Sequence, residues 1–130
     1  MAGQEKLKNA KVLVIGAGGL GSPCLLYLAA AGIGTLGVID ADVVDESNLQ
    51  RQVVHSTQTL GMAKVLSAKQ QLTALNPTIQ IDTYEEFLSL DNVLSIFNKY
   101  DLIIDGCDSL AIRYLINDAC VQLGKPFVYG

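Results

Sequence analysis

A glycine-rich turn near the amino terminus is the first feature that could do chemistry. It follows the apolar run 12–15 and precedes a helix-sized segment, and its glycines are Gly16, Gly18, Gly19 and Gly21. In this context G-x-G-x-x-G lets a phosphate or ribose approach a helix N-terminus closely. Asp40 ends the next apolar run, where a carboxylate can bind the ribose hydroxyls. The pattern predicts an adenine nucleotide, either ATP or NAD.

Two cations further along favour a nucleotide with more phosphate charge than NAD. Arg51 belongs to the segment Ser47-Asn48-Leu49-Gln50-Arg51-Gln52, and Lys64 begins an amphipathic helix. The planar guanidinium of Arg51 and the point charge of Lys64 are suited to phosphate oxygens, which gain negative charge as pyrophosphate leaves. The alternative is that both are ordinary surface cations.

An acidic residue follows a later apolar run. Asp108 lies just past 102–105, a predicted strand, and ligands of parallel α/β sheets bind at the carboxyl ends of the strands. A carboxylate there could hold Mg²⁺ against phosphates. Alternatively, Asp108 or Ser109 could cap the helix predicted to begin near Leu110.

These candidate residues must be positioned by alternating strands and helices. Short apolar runs without alternation are typical of parallel strands covered on both faces. They occur at 12–15, 35–40, 79–81, 102–105 and 127–129. The segments between them can form helices, so we predict an α/β fold with a Rossmann-like, doubly wound, mostly parallel sheet and helices on both faces.

Apolar periodicity locates the helices. One predicted stripe ends at Asn76-Pro77 and contains Met62, Val65, Leu66, Leu72 and Leu75. Another ends at Gly124 and contains Ile112, Leu115, Ile116, Ala119, Cys120 and Leu123. A shorter helix is predicted over 88–98, and Tyr27 is expected to pack within the helix over 23–31. The position of Cys120 predicts a core thiol rather than a nucleophile.

Composition excludes several classes of protein. The length of 130 residues suits one domain, and nine Lys and Arg against 13 Asp and Glu give a net charge of −4, which argues against nucleic acid as a partner. The uncharged run 12–39 is interrupted by seven glycines and Pro23, which argues against a membrane span. Three cysteines without a C-x-x-C pair suggest reduced thiols and a cytoplasmic protein.

In order and spacing, these motifs resemble the ThiF/MoeB/HesA family of adenylyltransferases, which are relatives of ubiquitin-activating enzymes. The resemblance is nearest to the MoeB branch, with the ThiF branch close behind, and it extends over essentially the whole chain. The segment 47–52 downstream of the glycine turn is its most specific part. The other matching positions are Asp40-Ala-Asp42, Lys64, Asn76-Pro77 and Asp105-Gly-Cys-Asp108.

The resemblance implies ATP-dependent adenylation of the C-terminal Gly-Gly carboxylate of a small ubiquitin-fold sulfur carrier, with release of pyrophosphate, in molybdopterin or thiamine biosynthesis. It implies catalytic roles for Arg51, Lys64 and Asp108, with Asp108 as the Mg²⁺ ligand. The implied nucleotide-binding residues also include Gly16, Gly18, Gly19, Gly21, Asp40, Asp42, Ser47, Asn48, Leu49, Gln50 and Ser109.

The chain also departs from that family. Members are usually longer, form homodimers and carry C-x-x-C zinc ligands that this sequence lacks, and Asn is common where Ser109 stands. We therefore expect residues 1–130 to be a single nucleotide-binding domain, truncated at its C-terminus, with little activity alone. One alternative is an NAD-dependent oxidoreductase domain, but this leaves Arg51 and Lys64 unexplained. A second alternative is a non-catalytic subunit of an activating heterodimer, but the intact Arg51, Lys64 and Asp108 argue against it.

Overall fold

A computed structural model of the chain describes residues 8–16, 21–41, 62–106 and 110–129. Within these ranges, strands and helices alternate along the sequence as the apolar runs predict. The strands are β1 (Lys11–Ile15), β2 (Thr35–Ile39), β3 (Gln80–Tyr84), β4 (Leu102–Asp105) and β5 (Phe127–Tyr129). The helices are α1 (Gly21–Ala31), α2 (Lys64–Leu75), α3 (Val93–Phe97) and α4 (Leu110–Leu123).

The strands that the structure describes form one five-stranded sheet in the order β3-β2-β1-β4-β5. Every pairing in it is parallel. At the carboxyl end of the central strand, Ile15 pairs with Ile39 on one side and with Asp105 on the other. The predicted Rossmann-like, doubly wound α/β fold is confirmed.

The apolar residues of the strands divide between two faces of the sheet. In β1, Val12 and Val14 lie in a core with α1 and α2, whereas Leu13 and Ile15 lie in a second core with α3 and α4. All four side chains are buried. This two-sided burial is the physical reason that the strand reads as an unbroken apolar run.

The predicted ends of the two longer helices are also confirmed. Asn76 follows α2, and its side-chain amide donates to the carbonyl of Ala29 in α1 at 3.0 Å, which holds the two helices together. Gly124 follows α4 with φ of +66°, a conformation that costs glycine little. The N–H of Lys125 then donates to the carbonyl of Cys120 at 2.9 Å, which closes the helix end.

The stripe on α4 is confirmed, but part of the predicted packing is wrong. Leu66 and Leu75 are exposed, because the inner face of α2 is formed by Lys64, Val65, Ser67, Ala68 and Leu72. That face includes a cation, a hydroxyl and small side chains, so a pattern of large apolar residues does not find it. Tyr27, predicted to pack within α1, is 77% exposed.

The helix predicted over 88–98 is shorter than expected. The α3 helix begins only at Val93, because the side chain of Asn92 folds the preceding segment into a turn. The side-chain oxygen of Asn92 accepts a hydrogen bond from the N–H of Ser89 at 2.8 Å. The side-chain NH₂ group of Asn92 donates to the backbone carbonyl of Phe87 at 2.8 Å. Asparagine competes with helical hydrogen bonding in this way.

A buried tyrosine fills a gap above the sheet. Tyr100 lies between α3 and β4 and is 1% exposed. Its ring covers Gly37 of β2, where an added Cβ would collide with ring atoms and the hydroxyl oxygen. The absent side chain at Gly37 therefore provides the space that the aromatic ring occupies.

An ion pair connects β4 to α4. Asp105 is the last residue of β4 and is fully buried, and its Oδ2 lies 3.6 Å from Nε of Arg113, whose side chain is 35% exposed. A buried carboxylate is costly unless it is compensated by charge or hydrogen bonds. Arg113 supplies charge compensation from the first turns of α4.

None of the helices in the described ranges combines the length and the apolar character that a membrane-spanning segment needs.

We expect Gly37→Ala to destabilise the protein by about 1–3 kcal/mol, because the new methyl group must displace the Tyr100 ring. Urea denaturation followed by circular dichroism measures this cost. The same substitution in a Tyr100→Leu background should cost much less, because the colliding ring is gone. Equal costs in the two backgrounds would contradict the steric account.

We expect Arg113→Met to lower the free energy of unfolding by about 1–3 kcal/mol, because it leaves a buried carboxylate with less charge compensation. Lys99→Met is the matched control, since it removes a cation from an exposed position outside the regular elements. That control should change stability by less than about 0.5 kcal/mol. A loss of the same size in both variants would show that the Arg113 ion pair contributes nothing specific.

Candidate functional site

The carboxyl ends of β2, β1 and β4 lie side by side, and each is extended by one backbone hydrogen bond beyond the strand. The N–H of Gly16 donates to the carbonyl of Ile39 at 2.9 Å, and that of Gly106 donates to Ile15 at 2.9 Å. The N–H of Asp40 donates to the carbonyl of Tyr84 at 3.1 Å. The chain therefore leaves the three strands at fixed, adjacent positions.

The strand order opens a crevice at this edge. The chain passes from β1 to β2 on one side, whereas β4 lies on the other side of β1. Connections that leave neighbouring parallel strands in opposite directions leave room for a ligand between them, at the carboxyl ends. The junction of β1 and β4, marked by Gly16 and Gly106, is that point in this sheet.

The structure describes four of the predicted site residues. Gly16 directly follows β1 with φ of +91°, a conformation that glycine adopts without strain, and it turns the chain out of the sheet. Gly21 is the first residue of α1. Asp40 directly follows β2 and is partly buried. Gly16 and Asp40 therefore both directly follow strands at the carboxyl edge of the sheet.

The fourth, Lys64, is the first residue of α2 and is only 7% exposed. Because α2 leads through 76–79 into the amino end of the parallel strand β3, its first residue lies toward the carboxyl end of the sheet. A cation at a helix start adds to the positive end of the helix dipole, so this region favours an anion.

The other predicted site residues lie outside the described residues: Gly18, Gly19, Asp42, Ser47, Asn48, Leu49, Gln50, Arg51, Asp108 and Ser109. The roles predicted for these ten residues therefore stay predictions. Among the described residues, no group of three or more His, Cys, Asp or Glu could hold a metal ion. The buried Asp105 carboxylate forms an ion pair with Arg113, so it is a poor candidate ligand for Mg²⁺.

The described thiols are not poised as nucleophiles. Burial raises the pKa of Cys24, and it raises the pKa of Cys120 to about 11. A thiol with a raised pKa is protonated near neutral pH and reacts slowly. Cys120 is a core residue, as its place in the apolar stripe predicts.

Sequence reasoning missed three side chains that support the strands of this edge: Arg113, Tyr84 and Tyr100. Arg113 stands eight residues beyond Asp105, in the first turn of α4, and a cation within an amphipathic helix is a weak signal of an ion pair. Tyr84 and Tyr100 contact each other through their hydroxyl groups at 2.9 Å, a pairing that no local pattern indicates.

Comparison with known proteins finds relatives of this chain. The ThiF family profile matches residues 1–130. The probable adenylyltransferase/sulfurtransferase MoeZ of Mycobacterium tuberculosis is 58% identical over 128 residues, which are 98% of this chain and 33% of that protein. The sulfur carrier protein adenylyltransferase of Thermus thermophilus is 51% identical over 128 residues, which are 98% of this chain and 47% of that protein.

Solved structures show the same fold. The E. coli tRNA N6-threonylcarbamoyladenosine dehydratase TcdA, crystallised with ATP, is 28% identical with a TM-score of 0.94, over 98% of this chain and 53% of that one. E. coli MccB, crystallised with MccA, is 31% identical with a TM-score of 0.89, over 97% of this chain and 38% of that one.

The chain spans between about a third and a half of these two curated relatives. The family match covers residues 1–130, which is the whole of this chain. The chain belongs to the ThiF family.

Proposed function

We propose that the carboxyl edge of this sheet binds ATP, and that the chain is the nucleotide-binding part of an adenylyltransferase. The observation that carries the proposal is that Gly16, Asp40 and Lys64 all lie toward the carboxyl edge of the sheet, where Gly16 marks the junction of β1 and β4. Relatives named adenylyltransferases and the ATP complex of TcdA support it.

Each end of the nucleotide has candidate partners. The proposed phosphate site is the start of α1, where anions are favoured, and Gly18 and Gly19 are among its proposed contacts. Asp40 accepts hydrogen bonds from the ribose hydroxyls. Lys64 neutralises charge that develops on the transferring phosphate, together with Arg51. The remaining proposed nucleotide contacts are Gly21, Asp42, Ser47, Asn48, Leu49, Gln50 and Ser109.

The proposed reaction needs no nucleophile from the protein. A carboxylate oxygen of the acceptor attacks the α-phosphorus of ATP, the bond from that phosphorus to the bridging oxygen breaks, and pyrophosphate leaves with the electron pair. Mg²⁺ enters with ATP as part of the substrate, and Asp108 is its proposed ligand. The site works by positioning the reactants and stabilising phosphate charge. The protonated state of Cys24 and Cys120 is compatible with this step.

The proposed acceptor is the C-terminal Gly-Gly carboxylate of a small ubiquitin-fold sulfur carrier of the molybdopterin or thiamine type. The name of the Thermus thermophilus relative supports a carrier of this class. We further propose a cytoplasmic homodimer as the complete enzyme, since ATP is the energy source and dimers are usual in the family that the motifs resemble.

Lys64→Met should weaken ATP binding by about tenfold or more, because it removes a charge-assisted contact to phosphate while preserving the length of the side chain. Lys69→Met is the matched control, since Lys69 lies on the same helix and is exposed. Displacement of a fluorescent ATP analogue from this chain measures both variants, with thermal unfolding recorded in parallel. Equal weakening by the two substitutions, or none by Lys64→Met in a folded protein, would contradict the role of Lys64.

A further inference from the structure

The backbone at Asp40 is fixed from the side of β3. Within the described sheet, β3 is an edge strand that pairs with β2, and Tyr84 is its last residue. The carbonyl of Tyr84 accepts the N–H of Asp40 at 3.1 Å. Strand ends at a sheet edge fray readily, so this contact depends on what holds Tyr84 in place.

Tyr100 supplies that restraint from above the sheet. Its hydroxyl group lies 2.9 Å from the hydroxyl of Tyr84 and donates to Oδ2 of Asp82 at 3.0 Å. The two rings meet edge to face, with centroids 6.4 Å apart. Asp82 pairs with Gly37 and Tyr84 pairs with Ile39, so Tyr100 contacts two successive positions on the same face of β3 across the gap at Gly37.

A backbone hydrogen bond next to Tyr100 attaches this segment to the central strand, β1. Asp101, directly after Tyr100, donates its backbone N–H to the carbonyl of Lys11 in β1 at 2.7 Å. Burial raises the pKa of Tyr100, and its hydrogen bond to Tyr84 and the charge of Asp82 raise it further. The hydroxyl is therefore protonated near neutral pH and can donate a hydrogen bond.

We infer that Tyr100 is a positioning residue for the nucleotide ribose: through Tyr84 it fixes the end of β3, and thereby the backbone of Asp40, so that the Asp40 carboxylate meets the ribose hydroxyls. This inference rests on the proposed function, because it assumes that Asp40 binds the ribose of ATP. It differs from a packing role, since packing requires the ring and positioning requires the hydroxyl.

The experiment removes the hydroxyl and keeps the ring. Tyr100→Phe deletes both hydrogen bonds, whereas Tyr84→Phe deletes only the bond between the two tyrosines and leaves Tyr100 bonded to Asp82. Tyr27→Phe is the matched control, because that side chain is 77% exposed on α1. For each protein, the affinities of ATP and 2′-deoxyATP are measured by displacement of a fluorescent ATP analogue, and thermal unfolding is recorded.

The wild-type chain should prefer ATP over 2′-deoxyATP, because the ribose 2′-hydroxyl binds a carboxylate. In Tyr100→Phe this preference should fall by roughly three- to tenfold, as expected when a charge-assisted hydrogen bond is misaligned. Tyr84→Phe should show a smaller fall, and Tyr27→Phe should match the wild type. A reduced ratio distinguishes positioning from general loss of stability, which would weaken both nucleotides equally.

Three results would overturn the inference. An unchanged ratio in folded Tyr100→Phe, or equal weakening of both nucleotides, would leave Tyr100 a packing residue while ATP binding stands. A wild-type chain that binds both nucleotides equally would remove the role of Asp40 at the 2′-hydroxyl. A folded wild-type chain that does not bind ATP would refute the proposed function itself, which separates the two failures.

Discussion

Parallel pairing of the strands in the order β3-β2-β1-β4-β5 is the constraint on which the rest of this structure depends. Parallel strands bring all their carboxyl ends to one edge, so the residues that follow each strand meet there although they are far apart in sequence. Gly16, Asp40 and Gly106 are positioned in this way, each by a backbone hydrogen bond to the neighbouring strand. The placement of the site is thus a property of the sheet.

Two buried polar side chains in the described ranges, Asp105 and Tyr100, connect elements that lead to that edge. Asp105 ends β4 and forms an ion pair with Arg113, which links the strand to the start of α4. Tyr100 covers Gly37 and donates a hydrogen bond to Asp82. Buried polar groups without partners are costly, whereas partnered ones specify one arrangement of the elements around them. These contacts therefore hold β4 and β3 in place close to the proposed ligand site.

Much of this architecture could be predicted because local patterns are strong where both sides of an element are buried. The run 12–15 is an example, because its side chains lie in both cores; the stripe containing Ile116 and Cys120 is predictable because α4 buries one face at helical spacing. The prediction for the inner face of α2 is wrong because Lys64 and Ser67 are buried there, whereas Leu66 and Leu75 are exposed. The contact between Tyr84 and Tyr100 joins residues that only the tertiary fold brings together, so no spacing rule could find it.

Calorimetric titration of this chain with MgATP, and separately with NAD, tests the central claim that the sheet edge is an ATP site. The account predicts heat of binding with MgATP, little or none with NAD, and weaker MgATP binding by Arg51→Ala, because that substitution removes a proposed phosphate contact. Tight NAD binding that Arg51→Ala leaves unchanged would contradict the account in favour of an oxidoreductase domain. Absence of heat with both ligands, from a folded chain, would contradict the claim that these residues form the nucleotide site.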